Sequence, residues 1–186
     1  QGRFQGYSQA VIEHAVIGVV ADNPADASGN SSGGIVACTG TLFKNNGRSV
    51  YFTPYENWHP FNNKVTANFS RFTTCTFETN NGYRGDADHL YKPGEGVPFF
   101  AFADIKGVRG IVFEGCSFVN NRDTYPFPSL PSEAFLGRGI MATESGFSVT
   151  DYCSALFPYP GTCPEVSITG STFKNLQIGI WAIHTN

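Results

Sequence analysis

Charge is scarce in this chain. Asp, Glu, Lys and Arg make up 15% of 186 residues, and the formal net charge is −3. A surface that grips nucleic acid by its phosphates is basic, so no nucleic-acid partner is expected. No apolar run is long enough to cross a bilayer, so no membrane span is expected either. No two cysteines stand at Cys-x-x-Cys spacing, and no histidine sits beside them to complete a metal set. A Ser/His/Asp or Cys/His nucleophile pattern and a Gly-rich phosphate loop are also missing. There is no signal peptide and no initiator Met at Gln1, so the chain reads as a processed product or a fragment of a longer one. What is plentiful is glycine, with 21 residues, and phenylalanine, with 17. That balance suits a β-rich protein with many turns and not a helical bundle.

One unit recurs. Val166-Ser-Ile-Thr-Gly-Ser-Thr-Phe-Lys-Asn175 has counterparts at Ile111–Asn121, at Ser70–Asn80 and at Val36–Asn46. A degenerate first copy runs from Tyr7 to Asp22, with Ile12, Ala15 and Ile17 set against Ile168, Ser171 and Phe173. The reference phenylalanine falls at 43, 77, 118 and 173, giving spacings of 34, 41 and 55. Unequal spacing excludes strict helical arrays and fits a solenoid whose coils carry insertions of different length.

Within a unit the alternation is that of strands, with Val166 and Ile168 on one face and Ser167 and Thr169 on the other. Gly170 marks a bend, Ser171 and Phe173 resume the inward set, and Asn175 marks a second bend before Ile178-Gly179-Ile180. Three short strands per turn make a triangular coil. Stacking then predicts an aromatic column of Phe43, Phe77, Phe118 and Phe173. It also predicts a small-residue column of Thr41, Cys75, Cys116 and Ser171, and an amide ladder of Asn46, Asn80 and Asn121 that Leu176 interrupts. Asn is suited to such bends because it tolerates left-handed backbone.

The pattern Val/Ile-x-Ile/Phe-x-Gly-Cys/Ser-x-Phe-x-Asn-Asn, followed by Gly-Ile-x-Ala, resembles that of right-handed parallel β-helix proteins of the pectin-lyase-like fold. Asn45–Phe52, Gly107–Phe113 and Gly137–Ile140 are similar to the repeat region of long secreted bacterial surface proteins. The resemblance covers nearly the whole chain from Tyr7. It implies an all-β, right-handed parallel β-helix occupying residues 1–186 as a single domain, with loop insertions between coils. It further implies a secreted or cell-surface location. Neighbouring coils or domains of a longer parent chain are expected to cover the ends of the helix.

Five cysteines cannot all pair within the chain. Cys38, Cys75 and Cys116 occupy apolar positions of the repeat and are expected in the core. Cys153 and Cys163 bracket a Pro/Gly-rich segment that loops back. They form either a disulfide, which implies an oxidising compartment, or two free thiols beside a loop. The disulfide is the expectation taken forward.

Function must lie in what the units do not share, namely the insertions at Pro54–Asn63, Gly82–Pro98, Arg122–Leu136 and Cys153–Cys163. Aromatic and charged residues there, Trp58, His59, Tyr83, Arg84, Asp86, Asp88 and Tyr91, are the candidate binding residues, since rings stack on sugar faces. Asp86-x-Asp88 leaves a Ca²⁺ site open without an EF-hand pattern, and no other cofactor is indicated. No catalytic residues are assigned. The expected function is a non-catalytic, secreted or surface β-helix segment acting as a rigid scaffold or adhesion surface toward a glycan or surface polymer. The alternative is a polysaccharide lyase or glycoside hydrolase. That alternative requires several carboxylates on adjacent outward strand positions beside an Arg or Lys.

Overall fold

The structure, a computed structural model, describes residues 2–22, 33–54, 57–58, 65–83, 101–123, 136–155 and 163–184. The chain makes five circuits of three strands. The first uses β1 (Arg3–Gly6), β2 (Val11–Glu13) and β3 (Ile17–Ala21), and the second β4 (Ile35–Thr39), β5 (Leu42–Lys44) and β6 (Arg48–Phe52). A two-residue antiparallel pair, β7 (Asn57–Trp58) with β8 (Val65–Thr66), intervenes. The third circuit uses β9 (Arg71–Thr73), β10 (Thr76–Asn80) and β11 (Ala101–Lys106), and the fourth β12 (Arg109–Glu114), β13 (Ser117–Asn121) and β14 (Arg138–Thr143). The fifth begins with β15 (Gly146–Thr150). It detours through an antiparallel pair, β16 (Tyr152–Cys153) and β17 (Ile168–Thr169), and closes with β18 (Thr172–Lys174) and β19 (Ile178–Ile183).

Corresponding strands of successive circuits pair in parallel. They form three five-stranded sheets: A is β1-β4-β9-β12-β15, B is β2-β5-β10-β13-β18, and C is β3-β6-β11-β14-β19. Such an all-β arrangement is consistent with a β-helix, each circuit being one rung.

The core runs along the stack. Phe43, Phe77, Phe118 and Phe173 sit in register on sheet B, with successive ring centroids 4.8, 4.7 and 4.7 Å apart and planes within 5° of parallel. That separation is the spacing between hydrogen-bonded strands, so the backbone repeat sets the ring contact. Sheet A supplies a second column, Cys38, Phe72, Phe113 and Val149, with Phe72 and Phe113 stacked at 4.9 Å. Sheet C adds Val19, Val50, Ala103, Ile140 and Ile180 in one column. Cys38, Cys75 and Cys116 are buried and free. The Cys116 N–H donates to Ser171 Oγ at 3.1 Å, linking two rungs of the small-residue column.

Three expectations need correction. The first concerns the amides. Asn46 is buried and does not lie in a ladder with Asn80 and Asn121. It reaches back one rung, donating to the Ile12 carbonyl at 2.7 Å and accepting from the Ala15 N–H at 2.9 Å. Asn80 bonds with Asn45 instead: Asn45 Nδ2 donates to Asn80 Oδ1 and the Asn80 backbone N–H donates to Asn45 Oδ1, both at 2.9 Å, while Asn121 is exposed. Asn80 does stand opposite Asn121 in register, but β5 ends at Lys44, opposite Glu78, and the chain turns at Asn45 before Asn46 could reach Asn80. Asn45 turns there in left-handed backbone (φ 54°), as do His14 (φ 56°) and Asn175 (φ 54°). On the third and fourth rungs the strand runs straight on through Asn80 and Asn121, because two of the insertions leave the coil there.

The second correction concerns the last rung. Val166 to Thr169 is not its sheet A strand. Val166 is 97% exposed within a short 3-10 turn, and Ile168 is 42% exposed on β17. Gly146–Thr150 takes the sheet A position, with Ile111 opposite Phe147 and Phe113 opposite Val149. Gly170 is therefore not the bend. The left-handed residues at that corner on the other rungs are Gln9 (φ 76°), Gly40 (φ 61°), Thr74 (φ 49°) and Gly115 (φ 57°). The third correction is to the first rung, where Ile12 stands opposite Phe43 and so fills the phenylalanine place.

Candidate functional site

The outer face of sheet C gathers the described side chains best suited to holding a ligand. Strand alternation turns Val20, Tyr51, Asp104, Met141 and Trp181 outward in one column across five rungs. Arg48 and Arg138 lie in a second column to one side, and Lys106 lies two residues beyond Asp104 on β11. Tyr51 has two cations close to its ring, with the Arg48 guanidinium 5.2 Å and the Lys106 ammonium 5.3 Å from the ring centroid. Arg138 lies 3.6 Å from the Trp181 centroid and donates to Met141 Sδ at 3.4 Å. These contacts hold three cations and two rings on a rigid face.

Asp104 is the unusual member. Its side chain is 0% exposed although it belongs to an outward column. Arg48 Nε approaches Oδ2 at 3.0 Å and Lys106 Nζ at 3.8 Å. Burial raises its pKa, and the charges of Lys106 and Arg48 oppose that rise. A carboxylate walled in this way serves to fix two cations; it is poorly placed to take a proton from a substrate.

The sites named from sequence are only partly within reach. Trp58 lies on β7, in the insertion that follows sheet C on the second rung. Tyr83 follows β10, and its N–H donates to the Asn80 carbonyl at 2.9 Å. The Arg122 guanidinium stands 5.2 Å from the Tyr83 ring. Asn81 and Asp123 bond reciprocally at 3.0 and 2.9 Å, so the stems of two insertions are tied together across neighbouring rungs. His59, Arg84, Asp86, Asp88 and Tyr91 lie outside the described residues, and with them the Ca²⁺ option at Asp86 and Asp88. Among the described residues no group of three or more His, Cys, Asp or Glu is gathered to hold a metal, and no helix is long and apolar enough to cross a membrane. Both named insertions border sheet C by connectivity, one leaving after β6 and the other entering before β11.

Sequence reasoning missed Arg48, Asp104, Lys106, Arg138 and Trp181 as a group. The available signal was the outward alternation of the third strand in each unit, read across insertions of unequal length.

Cys153 and Cys163 are joined in a disulfide with Cα atoms 6.0 Å apart, beside the β16–β17 pair. The three free thiols are closed off. Burial, then the charge of nearby Cys75, pushes Cys38 up to about 12. A hydrogen bond with Cys116, then burial, pushes Cys75 up. The same contact with Cys75 lowers Cys116, whose sulfur is nonetheless wholly buried. All three pack as apolar atoms out of reach of solvent.

No protein-family model matches the chain, and no curated protein or solved structure matches it.

Proposed function

We propose that this chain is a non-catalytic stretch of a secreted or cell-surface protein of right-handed, pectin-lyase-like β-helix type. Its role is that of a rigid scaffold whose sheet C face binds a glycan or surface polymer. One observation carries the reading: the carboxylates on the described strands stand opposite or beside Lys and Arg and not beside one another. Glu13 and Glu78 both stand opposite Lys44, Glu114 is 3.0 Å from Arg71, and Asp104 is 3.0 Å from Arg48. Among the described residues no two carboxylates face each other on adjacent rungs, the arrangement that hydrolysis or calcium-assisted elimination on such a surface would call for. The rings of Tyr51 and Trp181, with three cations around them, supply stacking and charge for a polymer instead. The Cys153–Cys163 disulfide supports an oxidising location.

The test is a panel of neutral and acidic polysaccharides scored for both retention and product release. Retention without new reducing ends or unsaturated products, lost in Trp181→Ala, is expected. Release of product from any member would overturn the reading.

A further inference from the structure

Three of the five cysteines are reduced and share one stretch of the core. Cys38 lies on β4, Cys75 in the turn between β9 and β10, and Cys116 in the turn between β12 and β13. β10 and β13 run parallel with Thr76 opposite Ser117. The residues just before them, Cys75 and Cys116, therefore stand level on neighbouring rungs. The Ser117 N–H donates to the Cys75 carbonyl at 3.0 Å, which carries the register through the corner. Both side chains are inside, 1% and 0% exposed. Cys116 Sγ lies 3.3 Å from the Phe72 carbonyl oxygen, which belongs to the rung of Cys75, and the two thiols share a hydrogen bond. Cys38 is placed differently. It stands opposite Phe72, so a ring and not a thiol faces it on the adjacent strand.

Neighbouring strands are about 4.8 Å apart. That separation falls inside the range of about 4.4–6.8 Å between Cα atoms that a disulfide spans. Two level, inward, touching thiols therefore need little backbone movement to join. The hydrogen bond from Cys75 favours the thiolate at Cys116, the form that attacks an oxidant.

We propose that Cys75 and Cys116 are an oxidisable pair, closed by a peroxide into a disulfide between the third and fourth rungs. The Cys116 sulfur attacks one oxygen of hydrogen peroxide and the O–O bond breaks. The thiol proton goes to the leaving oxygen, so water departs and Cys116 becomes a sulfenic acid. The Cys75 sulfur then attacks Cys116 Sγ and gives up its proton, and the sulfenic oxygen leaves as a second water. Two thiols are oxidised and one peroxide is reduced to two waters. The core shuts out bulky reagents, whereas a small neutral peroxide needs only a brief opening of the corner. The closed loop contains the insertion at Gly82–Pro98, so the bond restricts the unfolded chain and holds the two rungs together. None of this depends on what the sheet C face binds.

The experiment treats the folded chain with hydrogen peroxide, then unfolds it without reductant, blocks the remaining thiols and maps the peptides by mass spectrometry. Untreated protein should yield three thiols. Treated protein should yield one, Cys38, with Cys75 and Cys116 in a single linked peptide that has lost two hydrogens. Treatment should raise the urea midpoint of wild type and leave that of Cys75→Ser unchanged. Cys38→Ala should form the link as readily as wild type. Cys75→Ser and Cys116→Ser are expected to fold, because Thr41 and Ser171 already fill the same column, and circular dichroism checks each. In Cys75→Ser the sulfenic acid at Cys116 has no partner, and a sulfenic-acid probe should trap it. A link made through Cys38 would overturn the proposal. So would over-oxidised Cys116 with no link in wild type, or three thiols that persist under conditions that fully oxidise the unfolded chain.

Discussion

At the scale of single residues, two buried groups give sharp expectations. The first is the set of thiols. Cys38, Cys75 and Cys116 are closed into the core, and Cys153 is tied to Cys163. A thiol reagent should find almost no fast-reacting sulfur in the folded protein and three on unfolding without reductant. Five would show that the disulfide is absent, and rapid native reaction would show that the core thiols are open. The second is Asp104. Its folded pKa is raised by burial. Well below the ordinary carboxylate range both folded and unfolded chains hold the proton. Between that range and the raised folded value, the unfolded chain gives up its proton first, so unfolding gains as pH rises. Stability linked to Asp104 is thus lost on going up through that window and regained on acidification. Arg48 and Lys106 are each 38% exposed and can rehydrate when the carboxylate is removed. Asp104→Asn should therefore unfold at a higher temperature than wild type at neutral pH, and the gap should close as pH falls. Melting curves at several pH values measure this, and a gap that widened on acidification would contradict the assignment.

At the scale of elements, the stacked columns carry the stability. Phe77 is 0% exposed, touches Phe43 and Phe118 at stacking distance, and has the Phe72 and Phe113 rings edge-on. Phe77→Ala should cost about 3–5 kcal/mol, as for a large core ring, in chemical denaturation. A loss under about 1 kcal/mol would mean that the column is not packed as described. Close approach matters at Gly139, where a Cβ would run into the Gly179 carbonyl and the Phe173 ring. Gly139→Ala should therefore destabilise, while Gly2→Ala, with open space around it, should not; paired melting curves compare them.

The same columns explain what the sequence reveals. Phe43, Phe77, Phe118 and Phe173 were legible because an inward apolar side chain recurs on every rung, and on all but the first it is phenylalanine. The Asn positions were less so: the repeat sets Asn46 level with Asn80, and only the left-handed turn at Asn45, just past the pairing of Lys44 with Glu78, sends Asn46 back to the rung before. Val166–Thr169 carries the repeat's local pattern and still leaves the coil. There Tyr152 pairs with Thr169 and Cys153 with Ile168, next to the disulfide, while Phe147 and Val149 supply the inward alternation that the rung needs. The sheet C face was the least legible. Arg48, Asp104, Arg138 and Trp181 come from four strands separated by insertions of unequal length, and only the register brings them together.

At the scale of the whole molecule, five rungs in register give a chain of modest charge a patterned surface. Opposite charges face each other along sheets A and B, while rings and cations are concentrated on sheet C. The binding role proposed for sheet C rests on that fixed array. The central claim is that the sheet C face holds a polymer and leaves it intact. The chain has two tryptophans, Trp58 and Trp181, so Trp58→Phe leaves Trp181 as the sole indole reporter on that face. The most direct measurement titrates this variant with the polysaccharide best retained by the wild type, following Trp181 fluorescence and product release in the same sample. The expected result is a saturable change in emission with no product over many hours. An emission that does not respond, or product that accumulates with protein concentration, would contradict the account.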